Sequence, residues 1–128
     1  MYQRTVLIVE DEPLIRMMLA DTLNDEGFGV IEAATVLEAL ACLGHQGVDA
    51  VITDIDMPGG LSGLDLASVL NRGRKGIPVI VTSGRHRADD CNLCPGTLFI
   101  PKPYPLHQMV DLLRKVLRTA VVERTWAA

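Results

Sequence analysis

No apolar run in this chain approaches the roughly 18 residues that a membrane-crossing helix needs. Met1–Val9 has no long apolar stretch of the kind a secretory signal carries. The protein is therefore expected in the cytoplasm, with no membrane partner. Cysteine is sparse, limited to Cys42, Cys91 and Cys94. An odd count without an export signal does not read as a disulfide framework. Cys91 and Cys94 form a CxxC, but zinc takes about four ligands, and no second pair or suitable histidine pair completes the set. A redox CxxC usually opens a helix directly after a strand, so neither role is expected. Positive charge is not in excess either. The net charge is −4, and phosphate backbones attract basic surfaces, so nucleic acid is not an expected direct partner. Arg85, His86 and Arg87 form only a small local basic patch. Internal repeats, low-complexity tracts and interdomain linkers are missing. The three histidines, His45, His86 and His107, are scattered and expected on the surface.

What is present suits an ordinary globular unit. The 128 residues are 48% hydrophobic and 22% charged, enough for one domain with its own core. That domain is expected to span residues 1–128, with a core of about residues 4–119 and a tail of residues 120–128 that either extends the last helix or frays. Short apolar runs alternate with longer amphipathic stretches. Thr5–Val9 reads as a first strand. A helix over Glu12–Glu26 follows, with Pro13 in its first turn, where a missing N–H costs nothing. Ile15, Met18, Leu19, Thr22 and Leu23 share one face at helical spacing, and the methionines of this helix read as core or edge packing. Gly27 stops it. Gly29–Ala33 is the second strand. Thr35 and Glu38 form a capping box for a helix ending near Gly44. Val48–Thr53 is the third strand. After Pro58, Gly59 and Gly60 comes a helix over about Leu61–Asn71. Ile77–Thr82 and Leu98–Ile100 complete the strands, and Pro105–Thr119 is the last helix. Between the last two strands, Arg85–Gly96 has little apolar periodicity and contains Pro95, so a short or irregular fourth helix is expected there.

This alternation calls for an α/β fold, a doubly wound, five-stranded parallel sheet covered on both faces, with the order 2-1-3-4-5. Loops at the carboxyl ends of such strands gather on one edge, where ligands bind. Glu10, Asp11 and Glu12 end the first strand, Asp54 the third and Ser83 the fourth, and Lys102 follows the fifth. Separate strands thus bring carboxylates, a hydroxyl and an ammonium to one edge. Clustered carboxylates raise each other's pKa, and a hard divalent cation relieves that repulsion. Mg2+ prefers oxygen ligands and often sits beside phosphate. Asp11 and Asp54, with the backbone carbonyl of Asp56 and Glu10 directly or through water, are the expected ligands. A carboxylate so placed can attack phosphorus to give an acyl phosphate, with Mg2+, Lys102 and the Ser83 hydroxyl spreading the developing charge. The plainer readings are that Asp11 is a helix N-terminal acid, that Ser83 is a cap, that Lys102 is solvated and that Phe99 is core.

The segments VLIVEDEP, VITDIDMPGGLSGLDLA, PVIVTSG and FIPKPY, in this order, resemble the CheY-like response regulator receiver family of bacterial two-component signalling. The resemblance spans roughly Arg4–Thr119. It implies a flavodoxin-like sheet, phosphorylation at Asp54, Mg2+ (or Mn2+) as cofactor, Glu10 and Asp11 as the acidic pair, Ser83 as the switch hydroxyl and Phe99 as the aromatic switch. Lys102, set between prolines, matches the family's lysine, and Lys102–Pro103 is a candidate cis bond. Asp56 and Arg85 match positions that flank the phosphoryl group and tune its lifetime. The loop after Met57-Pro58 is one residue longer than usual, and Ser83–Lys102 is shorter. The implied partners are a histidine kinase or histidine phosphotransfer protein and a downstream protein target, with a weak homodimer left open. No enzymatic role beyond self-phosphorylation and self-dephosphorylation is implied. A receiver cut from a hybrid histidine kinase fits equally. Asp54-Ile55-Asp56 also resembles the nucleophile motif of haloacid-dehalogenase-type phosphatases, but there the acidic pair comes late in the chain. A flavodoxin-like binding module would need a hydroxyl- or glycine-rich phosphate loop after the first strand, where this chain has Glu-Asp-Glu-Pro.

Overall fold

The computed structural model describes residues 3–73, 76–88 and 92–127, the side chains of residues 120–127 excepted. Cys91 lies outside the described residues, as does the side chain of Trp126. Five strands and four α-helices follow one another as β1 (Thr5–Val9), α1 (Pro13–Asp25), β2 (Gly29–Ala33), α2 (Val36–His45), β3 (Ala50–Asp54), α3 (Gly63–Gly73), β4 (Val79–Ser83), β5 (Thr97–Pro101) and α4 (Leu106–Ala127). The strands form one sheet in the order β2-β1-β3-β4-β5, all pairs parallel. This is the order and fold class expected from the sequence.

Side chains alternate across each strand, so a parallel strand covered on both sides must be apolar at every position. In β1, Val6 and Ile8 pack with Leu19 and Leu23 of α1 and Met109 and Leu113 of α4. Leu7 and Val9 face the other way, into a cluster with Ala39 and Leu43 of α2 and Leu66 and Leu70 of α3. Every residue of β3 and β4 is buried.

Local signals set the helix ends. Glu12 precedes α1 and Pro13 opens it. Gly27 follows the helix with φ +93, a conformation that glycine adopts without strain. At α2, the Glu38 amide donates to Thr35 Oγ1 at 3.1 Å, while the Glu38 carboxylate accepts from the Ala34 amide at 2.9 Å and from the Thr35 hydroxyl at 3.4 Å. A second reciprocal cap, not anticipated, starts α3. The Asp65 amide donates to Ser62 Oγ at 3.2 Å and the Ser62 amide to Asp65 Oδ2 at 2.8 Å, so the helix begins two residues later than expected.

Two expectations need correcting or qualifying. Met18, placed on the buried face of α1, is 48% exposed, and Met17 is 51% exposed; the helix turns a narrower stripe, Leu19, Ala20 and Leu23, inward. The described residues between β4 and β5, residues 84–88 and 92–96, form no α-helix, consistent with a stretch that lacks apolar periodicity. α4 continues to Ala127. Among the described residues, no helix is long and apolar enough to cross a membrane.

Candidate functional site

β1, β3 and β4 end side by side, and β5 runs out beside β4. Glu10 leaves β1 with its amide donating to the Ala33 carbonyl at 3.0 Å. Its own carbonyl accepts from Arg16 Nη1 at 2.7 Å, and its carboxylate accepts the Glu12 amide at 3.2 Å. Asp54 ends β3, and the next amide, Ile55, donates to the Thr82 carbonyl at 2.8 Å. Glu10 is 4% and Asp54 7% exposed, an unusual placement for carboxylates unless they are paired. Their partner is Lys102. The Lys102 amide donates to the Ser83 carbonyl at 2.9 Å, tying the residue to β4. Its Nζ donates to Glu10 Oε1 at 2.6 Å and to Asp54 Oδ2 at 2.9 Å.

Two buried acids thus share one ammonium. Burial pushes the Glu10 and Asp54 carboxyls above their ordinary values, and Lys102 only partly offsets this. Burial by itself would lower Lys102, but its hydrogen bonds to Glu10 and Asp54 outweigh that and hold its pKa above the usual range. Tyr104, two residues on, is pushed up to about 12, first by burial and then by the Glu10 charge.

Asp11 is exposed, yet one carboxylate oxygen from each of Glu10, Asp11 and Asp54 lies within 4.8 Å of the others. Three hard oxygen donors on one surplus of negative charge suit Mg2+ or Mn2+. The cleft above them has a volume of about 510 Å3 and is lined by Asp11, Asp54, Asp56, Arg85 and Lys102 among others. A larger cleft, about 600 Å3, opens near the starts of β4 and β5. Its lining is mainly apolar and, among the described residues, carries no acidic group, whereas the smaller cleft borders the carboxylate cluster.

A family model describing the response regulator receiver domain matches residues 6–114. The chain belongs to the response regulator receiver family. Among its relatives is TcrX of Mycobacterium tuberculosis, a probable transcriptional regulatory protein, 32% identical over 89% of this chain and 50% of that protein. The chain spans half or less of the length of curated relatives that it matches, such as TcrX and the NtrX-like response regulator of Rickettsia felis. A CheY-like receiver domain protein from Methanospirillum hungatei superposes with a TM-score of 0.88 at 25% identity, over 95% of this chain and 99% of that one. The response regulator TrrA of Thermotoga maritima, solved in complex with Mg2+-BeF, superposes with a TM-score of 0.81 at 29% identity, over 89% and 99% of the two chains.

In this receiver, Glu10, Asp11, Asp54 and Lys102 come together as their motifs imply. The Lys102–Pro103 bond is cis. Phe99 is partly buried on β5, opposite Val81, and packs against the α2–α3 side of the core. Ser83 is 1% exposed, and its hydroxyl donates to Asp56 Oδ2 at 3.0 Å. His86, expected on the surface, has a side chain 41% exposed, but it also contacts two of the expected site residues. Its Nδ1 lies 3.2 Å from Ser83 Oγ and 3.5 Å from Asp56 Oδ1. A lone histidine in an aperiodic loop offers no sequence signal. The one available clue was its spacing of three from Ser83, which a tight turn converts into contact.

Proposed function

We propose that this receiver accepts a phosphoryl group on Asp54 from a phosphohistidine of a histidine kinase or phosphotransfer protein. The observation that carries the reading is the buried Asp54 carboxylate, with Oδ2 held by Lys102 and Asp11 and Glu10 alongside. An Asp54 oxygen forms the new O–P bond, the donor's P–N bond breaks, and its electron pair leaves with the imidazole. Glu10, Asp11 and Asp54, with the Asp56 backbone carbonyl, would hold Mg2+ or Mn2+. A bound cation would neutralise the acidic cluster and the charge on the transferring oxygens. Lys102 orients Asp54 and offers its ammonium to a phosphoryl oxygen. Ser83 supplies a hydroxyl to another such oxygen, and Phe99 repacks as Ser83 moves, shifting the population towards an active state. Asp56 and Arg85, at the mouth of the cleft, stand where they can steer the hydrolytic water. The receiver would work in the cytoplasm as a signalling domain with a protein target, turning over no substrate but its own acyl phosphate.

Intact-protein mass after incubation with acetyl phosphate tests this. One phosphoryl adduct is expected, lost with EDTA and in Asp54→Asn. An adduct of equal yield on Asp54→Asn would remove Asp54 from the role.

A further inference from the structure

The Ser83 hydroxyl is fully committed before any phosphoryl group arrives. A hydroxyl has one proton to give and two lone pairs to receive. The Arg85 amide donates to Ser83 Oγ at 3.0 Å and the His86 amide at 2.9 Å, which fills the lone pairs. The proton goes to Asp56 Oδ2 at 3.0 Å, and His86 Nδ1, an acceptor in the tautomer that carries its proton on Nε2, lies 3.2 Å from the same hydroxyl. A phosphoryl oxygen would be a third claimant. The same Asp56 donates its amide to Asp54 Oδ1 at 3.4 Å, so the residue that retains Ser83 lies two positions after the phosphoacceptor and touches it.

We infer that the Asp56 carboxylate and the His86 imidazole form a latch on Ser83, which a phosphoryl group on Asp54 opens by taking over the hydroxyl proton. The inference rests on the phosphoacceptor reading above and adds to it a named opposing contact. His86 is a positioning residue, acting through Ser83. Its side chain is 41% exposed and that of Asp56 32%, so the latch opens towards solvent without disturbing the core. Negative charge arriving on Asp54 also repels the Asp56 carboxylate, which favours release. Once freed, His86 no longer ties residues 84–88 to Ser83 through its ring. The loop after β4 thereby carries the phosphorylation state to the surface.

Calorimetric titration of the full chain with beryllofluoride in the presence of Mg2+ tests the latch. His86→Ala is expected to bind the analogue roughly five-fold more tightly, the size of one net hydrogen bond. His86→Asn, whose Oδ1 can occupy the place of Nδ1, should bind like the wild type. In a Ser83→Ala background the gain should vanish. Unchanged or weaker binding by a folded His86→Ala protein overturns the latch, and so does an equal gain without Ser83. Should His86→Ala fail to fold, the ring resonances of His86 in the wild type decide: a shift on adding beryllofluoride supports release, and unmoved resonances overturn it. A wild-type protein that binds no beryllofluoride overturns the phosphoacceptor reading and the latch together, whereas normal wild-type binding leaves only the latch at stake.

Discussion

Asp54 and Ser83 end neighbouring parallel strands, yet they are held in opposite ways. Asp54 is fixed mainly by a partner far away in the chain, with a longer bond from the nearby Asp56 amide. Lys102 reaches it from 48 residues on while also gripping Glu10, 92 residues earlier. Those bonds exist only when the whole sheet is formed. Ser83 is held mostly by residues two and three positions ahead of it, through the Arg85 and His86 amides and the His86 ring. Those bonds can be exchanged within one loop while the sheet stays intact. The proposed phosphoacceptor therefore sits on the rigid side of the cleft and the adjustable contacts on the other, a division that suits a domain meant to change state without unfolding.

The rigid side should respond most strongly to added bulk. Gly63 opens α3 with its amide donating to the Ile55 carbonyl at 3.0 Å. A Cβ there would run into the Asp54 carbonyl oxygen and lie 2.9 Å from both the Asp54 carbonyl carbon and Thr53 Oγ1, and main chain cannot swing aside as a side chain can. Gly63→Ala should cost about 2–3 kcal/mol in urea unfolding. A loss under about 0.5 kcal/mol would show that α3 can slide off the end of β3, making this side less rigid than described.

The next effect has the opposite sign. Glu10 and Asp54 bind protons more tightly folded than unfolded, because burial raises both from ordinary values of 4.5 and 3.8. Each therefore favours the fold below those values, and the contribution is lost as pH rises through the raised folded pKa. At pH 7, without metal, two buried carboxylates compete for one ammonium. Asp54→Asn removes that surplus while Glu10 keeps Lys102 at 2.6 Å. The variant should be more stable than the wild type by roughly 1 kcal/mol in EDTA at pH 7, with the gain shrinking towards pH 4. Equal or lower stability at pH 7 would mean that the Lys102–Asp54 bond outweighs the crowding of charge.

The same division explains what could be read from the sequence. The strand order and the acidic and basic site residues follow from short, mostly apolar strands and from the polar residues at or just beyond their carboxyl ends, because nothing in such a sheet can be moved by one position without exposing or burying the wrong group. The loop side gave less away. His86 and the Asp56 carboxylate act through hydrogen bonds that depend on how a short turn folds, and no periodicity encodes that. The Ser62–Asp65 cap had a readable spacing, but the two glycines before it, Gly59 and Gly60 at φ +94 and +86, make the loop long enough to hide where α3 begins. Met17 and Met18 failed differently, since apolar character alone does not reveal how wide a stripe the sheet covers.

Arg85 offers the smallest effect and the finest test of the division. Its side chain is exposed and reaches the mouth of the cleft that Asp54 and Lys102 also line. Only its main-chain amide holds Ser83, and a substitution leaves that amide in place. Arg85→Ala should therefore change unfolding stability by less than about 0.5 kcal/mol. It removes one screened positive charge from the approach to Asp54, so beryllofluoride binding should weaken about two- to three-fold at low salt, and the difference should fade near 0.5 M salt, where exposed charges are screened within a few Å. A salt-independent loss would mean that the guanidinium makes a direct bond to the bound group. A clear loss of stability would mean that the loop helps to hold the sheet, and the contrast between the two strand ends would then be one of degree.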